Sequence, residues 1–370
     1  MYMNQESDVV YFDLITTNYL SLAKSPPYAE YNQSRTIPYL QNPSDYYGAI
    51  VNFSLDNTSI PVFIVGIQNG QSNPNLTVYN VSLSYQGSTI TEPVIFVPQD
   101  LTAQVPNPPS SYPDGLAYYG GGYYNIYSYA YFTSLVNTAL AGAYVSLRAL
   151  QPSLPINSSP VISYDPATQL FTVTVIDALY NSSLGPAISV YLNPPLLHLY
   201  SFVPSSSVSL GNVNEELLII NNYIGVLDST SGKRAITQEL SSIQFWSPAS
   251  CITITTDFLP VNRVIIATPQ LYAQDNSLLI PNNNALTQPI LLEYSVPDAI
   301  YTKTINYNPT AQYQFFDMMS DTPLYNIDFK FWFRSKSGVL FPIYLNSGSS
   351  VSLKLGFFKK DKFSMLKTIK

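Results

Sequence analysis

The 370-residue chain has one cysteine, Cys251, and one histidine, His198. A single cysteine excludes an intramolecular disulfide framework and agrees with assembly in a reducing compartment. One residue of each kind cannot close a tetrahedral zinc site. A catalytic Ser-His-Asp triad or Cys-His dyad would have to use His198. The apolar neighbours of His198 in "PPLLHLYSF" predict instead a packed or interfacial ring. Cys251 is expected to behave as a small buried hydrophobic residue.

Charge is also scarce. Charged residues make up 11% of the chain, against an ordinary value of about 25%. The 31 tyrosines and 29 prolines, together with many Ser, Thr and Asn residues, favour strands and turns over helices. A neutral, partly aromatic surface of this kind suits permanent contacts with other proteins. A solitary soluble enzyme would normally carry more charge, although biased codon usage is another source of such a composition.

Long apolar runs and targeting signals are absent from the sequence as well. No uninterrupted apolar stretch reaches the roughly 18 residues of a membrane-spanning helix, so no span is expected. The N-terminal "MYMNQESDVV" has no basic region followed by an apolar run, so no signal peptide is expected. No repeat of fixed period is visible, which argues against solenoids and propellers.

The carboxylates form no recognisable catalytic or calcium-binding pattern. Glu215 and Glu216 would point to opposite sides of a strand, and Asp residues at turns ordinarily cap backbone groups; those at turns or strand ends are Asp165, Asp177, Asp317 and Asp328. No loop carries the alternating acids of a calcium site. The stretch "YYGGGYY" lacks the Lys-Ser/Thr of a phosphate-binding P-loop. The sequence contains no Arg-Gly-Asp tripeptide, so we expect no integrin-type attachment. We expect no enzymatic activity, cofactor or metal.

What the sequence does contain is a series of short strand-like runs separated by Pro-, Gly- and Asn-rich turns, which predicts antiparallel sandwiches or barrels. Alternation is clear in "DFKFWFRS" and "SVSLKLGFF", where every second residue is apolar. The predicted strands are Val9–Leu14, Tyr47–Leu55, Ile60–Ile67, Leu76–Tyr85, Val94–Val97, Leu170–Ile176, Ile188–Leu192, Ile252–Thr256, Val264–Ala267, Ile290–Tyr294, Tyr313–Phe316, Asp328–Arg334 and Val351–Phe358.

One segment has helical periodicity instead. "YFTSLVNTALAGAYVSLRAL" spaces its apolar residues by three and four, which predicts a helix of about five turns that ends before Pro152. The residues of this face are Phe132, Leu135, Val136, Ala139, Leu140, Ala143, Leu147 and Leu150. The stretch 214–227 is a weaker helix candidate, because an Asn-Asn pair and Gly225 oppose it.

Several motifs occur in the order found in the penton, or minor capsid, proteins of virophages and polinton-like viruses. The chain resembles this family, and the Sputnik-type virophage pentons in particular, in its Asn-Pro-Ser-Asp-Tyr-Tyr turn at 42–47 and its Tyr-rich run into "NTAL". Further similarity lies in "PVISYDPATQLFTV", "AISVYLNPPLLHLYSFVP", "IQFWSPASCITITTDFLPV" and the closing strands with their basic end. Each motif alone is weak, and their shared order carries the resemblance.

The resemblance implies a mainly β fold: a single jelly roll of two four-stranded antiparallel sheets, carrying a β-rich insertion domain with one clear helix. We expect the jelly roll to be split between 1–64 and 237–370, with the insertion at 65–236. The resemblance also implies a homopentamer at the fivefold vertices of an icosahedral virion, beside major capsid protein trimers. Assembly would take place in the host cytoplasm.

The net charge of −7 is unevenly distributed, since six of the sixteen Lys and Arg residues lie between 354 and 370. A basic tail on an acidic body typically serves a polyanion or an acidic partner, and a solvated terminus is the alternative. We expect the tail to face inward, towards capsid partners or genomic DNA. The residues expected to do so are Lys359, Lys360, Lys362, Lys367 and Lys370.

The Gly- and Tyr-rich segment before the helix predicts an exposed aromatic loop, at a subunit contact or a vertex tip. Its expected exposed residues are Tyr118, Tyr119, Tyr123 and Tyr124. With Tyr127 and Tyr129 they would also serve the alternative function, a carbohydrate-binding or adhesive β protein such as a fibre head, because exposed aromatic rings stack on sugars. The oligomeric state separates the two hypotheses: a pentamer favours the vertex protein, and a monomer or trimer that binds glycans favours the lectin.

Overall fold

The computed structural model describes residues 8–19, 28–68, 70–99, 122–210, 213–240, 246, 249–261, 265–266, 287–296, 304–309, 313–335 and 340–363. The strands in this part are β1 (Val9–Thr17), β2 (Glu30–Ser34), β3 (Tyr46–Asp56), β4 (Phe63–Ile64), β5 (Leu76–Tyr85), β6 (Ser88–Ile95), β7 (Asn125–Ile126), β8 (Val161–Asp165), β9 (Leu170–Ile176), β10 (Ser189–Leu192), β11 (Ser205–Leu210), β12 (Val213–Leu218), β13 (Val226–Asp228), β14 (Lys233–Thr237), β15 (Ala249–Thr255), β16 (Ile265–Ile266), β17 (Thr287–Gln288), β18 (Ile290–Ser295), β19 (Thr304–Tyr307), β20 (Phe315–Asp317), β21 (Asn326–Ser335), β22 (Leu340–Pro342) and β23 (Ser350–Lys359). The α-helices are α1 (Tyr129–Leu150), α2 (Asp177–Tyr180), α3 (Pro194–Leu199) and α4 (Lys360–Phe363).

Eight of these strands form a jelly roll. The first pairs with the last, β1 with β23, and the pairing continues inward as β2 with β21, β3 with β19 and β15 with β18. Further pairings close two antiparallel sheets with the strand orders β1-β23-β3-β19 and β18-β15-β21-β2, the arrangement of a jelly roll. Each sheet carries one additional short strand, β20 on β3 and β22 on β21.

The alternating sequences build the interior between these sheets, as predicted. In β21 the rings of Phe329, Phe331 and Phe333 are buried in the core, and in β23 the inward residues begin with Val351 and end with Phe357. Alternation of apolar residues along a strand places them on one face, so the two strands contribute opposite walls of one core.

The elements β4 to β14 and the helix α1 lie between β3 and β15 in the chain. They form a five-stranded sheet, β11-β12-β10-β5-β6, and a four-stranded sheet, β13-β14-β9-β8. The helix α1 packs on β5, β6 and β8. The predicted helix is confirmed, and its apolar face is buried with the exception of Leu150, which is exposed at the last turn.

The described residues form two large hydrophobic cores. One is built from residues between Val62 and Trp246, and the other from jelly-roll residues up to Ile60 and from Ala249 onward. The partly buried Ile64 packs against both. The chain therefore changes from one core to the other immediately after β3 and again immediately before β15.

Two local predictions were wrong. The weak helix at 214–227 is instead the strand β12, a turn and the strand β13, because the Asn-Asn pair and Gly225 stop any helix and form the turn. The predicted strand Ile60–Ile67 is reduced to the two-residue β4, since Pro61 cannot donate to a ladder.

Candidate interaction surfaces

Lys360, at the start of α4, is half-buried and pairs with groups of its own chain. Its Nζ lies 2.5 Å from Oδ1 of Asp317 and donates hydrogen bonds to the carbonyl oxygens of Ser44 (2.6 Å) and Met318 (3.2 Å). It also lies 5.3 Å from the ring centroid of Tyr47, within the range of a cation–π contact. The amine therefore ties the end of β23 to the turn at 42–47 and to β20, so this residue of the predicted inward-facing tail is engaged within its own chain.

The other predicted tail residues differ in position. Lys359, the last residue of β23, is half-buried, and Lys362 in α4 is exposed. Lys367 and Lys370 lie outside the described residues. With Lys360 engaged internally, the cationic groups that α4 and the end of β23 offer to a partner are those of Lys359 and Lys362.

The prediction of an exposed aromatic loop is wrong for Tyr123 and Tyr124. Tyr123 is 3% exposed and Tyr124 is fully buried. Both rings pack against Phe96, with centroids 5.6 Å and 5.5 Å away. Their hydroxyls donate to Oδ1 of Asn75 (3.0 Å) and to the carbonyl of Pro74 (2.9 Å). Because each hydroxyl has a partner, these rings can enter the core without an unsatisfied polar group.

The remaining tyrosines of that segment give no exposed cluster in the part of the chain that is described. Tyr129 is buried against Trp246, and Tyr127 is half-buried, with its hydroxyl accepting a hydrogen bond from Asn125. Tyr118 and Tyr119 lie outside the described residues. The sequence could not separate a loop rich in Tyr from a core rich in Tyr, because both have the same composition.

The residues considered for catalysis do not come together. His198 is exposed on α3, so it is not packed in a core, whereas Cys251 is half-buried in the jelly-roll strand β15. Glu215 is buried and Glu216 accepts a hydrogen bond from Ser207 on the neighbouring strand. Among the described residues there is no group of three or more His, Cys, Asp or Glu that could hold a metal ion.

Asp165 and Asp328 accept hydrogen bonds from the backbone, as the sequence predicted, whereas Asp177 and Asp317 form ion pairs with Arg234 and Lys360. Asp165 accepts from the backbone N–H of Ala167 and from the hydroxyl of Thr168, and these bonds lower the pKa of its carboxyl below the ordinary value. The buried Asp328 accepts from the N–H groups of Asp257 and Phe258 and so holds the turn after β15.

The outer face of the first jelly-roll sheet mixes apolar and charged groups. On β1, Tyr11 is 52% exposed and Ile15 is 66% exposed. Asp13 lies on the same face between them and pairs with Lys354 of β23 at 3.6 Å. A groove of about 600 Å³ runs along this face and includes Tyr313 in its wall. Such a mixture is typical of a contact between protein subunits.

A second groove, of about 650 Å³, lies on the residues between β3 and β15, beside the turn at 223–226. Sequence reasoning missed it because it treated 214–227 as a weak helix. The signal was present in the turn residues Asn221, Asn222 and Gly225, which place the apolar Tyr223 and Val226 on a surface turn.

The jelly roll is a fold of viral capsid proteins and of lectins. Here the outer face of one sheet carries both apolar and charged side chains. The polar side chains described above hold turns, form ion pairs or bond buried hydroxyls. These features define a jelly-roll protein with a mixed apolar and charged outer face. A family model described as Sputnik minor capsid protein V18/19 matches residues 10–360. The chain belongs to this family, the minor capsid proteins of the Sputnik type, as the sequence motifs predicted.

Individual relatives agree with this assignment. The protein V18 of Sputnik virophage, described as uncharacterized, is 31% identical over 147 residues, which cover 39% of this chain and 87% of V18. A chain in the cryo-EM structure of the Sputnik virophage is similar with a TM-score of 0.72 and 23% identity, covering 97% of this chain and 99% of that chain. The mavirus penton protein is similar with a TM-score of 0.57 and 16% identity, covering 95% and 99%.

At these identities the two structural comparisons show a shared fold, and the family match shows a minor capsid protein, hence a component of the virion capsid. The mainly β jelly-roll prediction is confirmed. None of the described helices combines the length and the hydropathy that a membrane crossing requires.

Proposed function

We propose that this minor capsid protein forms the homopentameric penton at the fivefold vertices of an icosahedral virophage capsid, beside major capsid protein trimers. The observation that carries the proposal is the eight-stranded jelly-roll order in a chain whose family match extends over residues 10–360. The role is structural and not enzymatic, and assembly takes place in the host cytoplasm. The likeness of the fold to the mavirus penton protein supports the vertex position.

In a pentamer each subunit uses one surface towards one neighbour and a different surface towards the other, and the ring closes when the rotation between them is one-fifth of a turn. The outer face of the β1-β23-β3-β19 sheet is the surface we assign to one such contact. Exposed Tyr11 and Ile15 would be buried there, and the Asp13–Lys354 pair would fix the register at the rim.

The basic C-terminal segment faces the capsid interior in this proposal, towards major capsid protein or genomic DNA. Its contributing residues are Lys359, Lys362, Lys367 and Lys370, without Lys360. The test is a virion assembled with all four changed to Gln. We expect particles that retain less genome or recruit less of this protein, and unchanged particles would contradict the assignment. Lys360 is kept so that the folded core stays intact.

The two hydrophobic cores support a jelly roll and an insertion domain divided close to the predicted boundaries, 1–64 and 237–370 against 65–236, with Val62, Phe63 and Trp246 packed in the core of the insertion. We propose that the insertion stands on the jelly roll as a unit with its own core, so that its outer surface is available for contacts beyond the shell.

Light scattering after size-exclusion chromatography tests the pentamer. We expect a particle of five times the chain mass of 41.1 kDa. Ile15→Glu should shift the protein towards monomer, because a carboxylate would be desolvated in the contact. Ile156→Glu is the matched control, since Ile156 is also 66% exposed but lies outside the jelly roll. A wild-type chain that stays monomeric at high concentration would overturn the proposal, and a monomer or trimer that binds glycans would favour the lectin.

A further inference from the structure

The groove of about 650 Å³ lies between the segment 201–204, the turn 223–226 and the strand β14 with residues 238–240 after it. Its volume falls within the roughly 300–1,000 Å³ of small-ligand sites. The apolar part of the lining includes Phe202, Tyr223 and Ile236, and the polar part includes Ser201, Thr237 and Glu239. A lining of this kind offers an aromatic surface together with hydroxyl and carboxylate groups.

The apolar side chains at the rim are strongly exposed. Tyr223 is 92% exposed, Leu240 is 81% exposed and Val226 is 76% exposed. Single exposed apolar residues are normal on protein surfaces, but three around one groove form a patch. Since Tyr223 makes almost no contact with its own core, its ring contributes little to folding and is available to a ligand.

A buried ion pair anchors the turn that carries Tyr223. The Nε of Arg234 lies 2.5 Å from Oδ1 of Asp177, with side-chain exposures of 4% and 10%. The same guanidinium donates through Nη1 to the carbonyl of Ile224 at 3.0 Å. Asn181 donates to Oδ1 of Asp177 and to Oδ1 of Asn222. This network fixes both ends of the turn to β14 and α2.

The backbone of the turn is fixed as well. Oδ1 of Asn221 accepts from the N–H of Tyr223 at 2.9 Å. Gly225 has a φ of +74°, and a Cβ there would overlap the carbonyl oxygen of Ala235. Only glycine tolerates both the positive φ and the close approach. The aromatic residue is therefore presented on a preorganised turn, which lowers the entropy lost on binding.

The floor of the groove is equally fixed. The N–H of Gln238 donates to the carbonyl of Phe171, and the N–H of Phe171 donates back to Oε1 of Gln238 at 3.2 Å. The exposed Ser201 and Glu239 remain at the surface beside this floor. Polar groups that can donate and accept hydrogen bonds thus lie next to the aromatic rim.

We propose that this groove binds a neutral carbohydrate, with the Tyr223 ring stacked on a sugar face and Ser201, Thr237 and Glu239 engaging its hydroxyls. A pyranose has an apolar C–H face that suits the negative face of an aromatic ring, and hydroxyls that suit mixed donors and acceptors. Among the described residues, the groove lining contains one carboxylate, Glu239, and neither Lys nor Arg. Sulfated and sialylated sugars are therefore disfavoured. The proposal goes beyond the pentamer and does not depend on it.

The test is a glycan array with neutral, sialylated and sulfated glycans, probed with the full-length protein in its native oligomeric state. Saturation-transfer NMR and calorimetry with the best neutral oligosaccharide would follow. We expect binding of neutral glycans only. Tyr223→Ser should weaken that binding about tenfold or more, the order of a lost aromatic stacking contact, and Tyr223→Trp should retain it. Because Tyr223 is so exposed, neither substitution should alter the fold.

The matched control is Tyr19→Ser, which removes a tyrosine that is 87% exposed but lies in the jelly-roll part of the chain. It should leave glycan affinity unchanged within about twofold. Three results would overturn the proposal: no binding to any neutral glycan, equal loss in both Ser variants, or a change of oligomeric state in Tyr223→Ser without a change in glycan binding. The last result would assign the groove to a protein contact. Light scattering on the same samples measures the oligomeric state, so a lack of glycan binding can be distinguished from a failure to form the pentamer.

Discussion

The side-chain amide of Asn137 pairs with the backbone of Ile162 in both directions. Its Nδ2 donates to the carbonyl of Ile162 at 2.7 Å, and its Oδ1 accepts from the N–H of Ile162 at 2.8 Å. Asn137 lies on α1, and Ile162 lies on β8, at the edge of its sheet. The amide therefore hydrogen-bonds both backbone groups of Ile162 as a neighbouring strand would. This prevents the edge strand β8 from pairing with a strand of another chain at this position. This asparagine is the first residue of the "NTAL" motif.

The first prediction is that Asn137→Ala destabilises the protein by about 1–3 kcal/mol, because both backbone groups of Ile162 lose a partner in a half-buried site. Chemical denaturation followed by circular dichroism measures the change. Thr138→Ala is the matched control: the Thr138 hydroxyl bonds only within its own exposed helical turn, so its loss should cost no more than about 0.5 kcal/mol. Equal effects of the two substitutions would contradict the role of Asn137.

The second prediction concerns Gly48, in the signature stretch after the 42–47 turn. It lies opposite Phe316 of β20, and a Cβ at Gly48 would overlap that ring. Gly48→Ala should destabilise the protein by about 1–3 kcal/mol through overpacking. The double variant Gly48→Ala with Phe316→Leu should recover part of the loss. Gly142→Ala in α1 has free space for its Cβ and should instead stabilise by about 0.5–1 kcal/mol. The same sign for both glycines would contradict the packing argument.

The third prediction is that Lys360→Met loosens the C-terminal end of β23. The amine satisfies the carbonyls of Ser44 and Met318 as well as the carboxylate of Asp317. Because Asp317 is partly exposed, most of the effect comes from the carbonyls, and we expect a loss of about 1–2 kcal/mol. Lys362→Met, at an exposed position of the same short helix, should be neutral. Hydrogen exchange of the 42–47 turn should increase only in Lys360→Met, and unchanged exchange there would contradict the tie.

The strands β21 and β23 were predictable because every second residue of each is apolar and packs in the jelly-roll core. The long helix α1 was predictable for the same reason at a period of 3.6. The strand order was not, since pairing between β1 and β23 joins residues more than 300 positions apart and leaves no local signal. That order came from the family resemblance.

The surface was harder to predict than the core. Tyr123 was expected outside and lies inside, whereas Tyr223 lies outside in a stretch treated as a weak helix. Tyrosine is found in both places because its ring is apolar and its hydroxyl is polar. Which of the two applies depends on whether a hydroxyl partner is available, as Asn75 is for Tyr123, and that partner is set by the tertiary fold.

The fourth prediction concerns pH and Glu215. Burial raises the pKa of its carboxyl above the ordinary value, and no hydrogen-bond partner for its Oε2 is present among the described residues. Because the folded state binds this proton more tightly than the unfolded state, stability falls as the pH rises from the unfolded pKa, about 4.3, through the folded pKa. Glu215→Gln should therefore stabilise the protein at pH 7, by about 1–2 kcal/mol.

The difference between Glu215→Gln and wild type should shrink as the pH falls and disappear near pH 3, well below the unfolded pKa, where the carboxyl is protonated in both states. Denaturation curves across this pH range provide the measurement. Glu216→Gln, at the neighbouring residue, should give no gain in stability at pH 7, because that carboxylate has a hydrogen-bond partner in Ser207. A gain from Glu215→Gln that stayed constant down to about pH 3 would exclude titration of Glu215 as its cause.

The fifth prediction uses the two tryptophans of the chain. Trp246 lies in the core of the insertion, and Trp332 is buried on the jelly-roll strand β21, on the face opposite Phe331 and Phe333. Trp246 stacks on Phe171 with centroids 5.0 Å apart and donates to the carbonyl of Leu199. Trp332 lies in β21 and donates to Oγ1 of Thr255 at 2.8 Å. Trp332→Phe leaves a reporter of the insertion, and Trp246→Phe leaves a reporter of the jelly roll.

If the insertion has its own stability, the two fluorescence transitions in denaturant should have different midpoints. Circular dichroism of the wild type should then show both steps, which controls for destabilisation by either substitution. The physical reason is that separate cores cooperate within themselves more than with each other. One transition with a common midpoint, seen by all three measurements, would mean that the contact through Ile64 and its neighbours couples the cores into one folding unit.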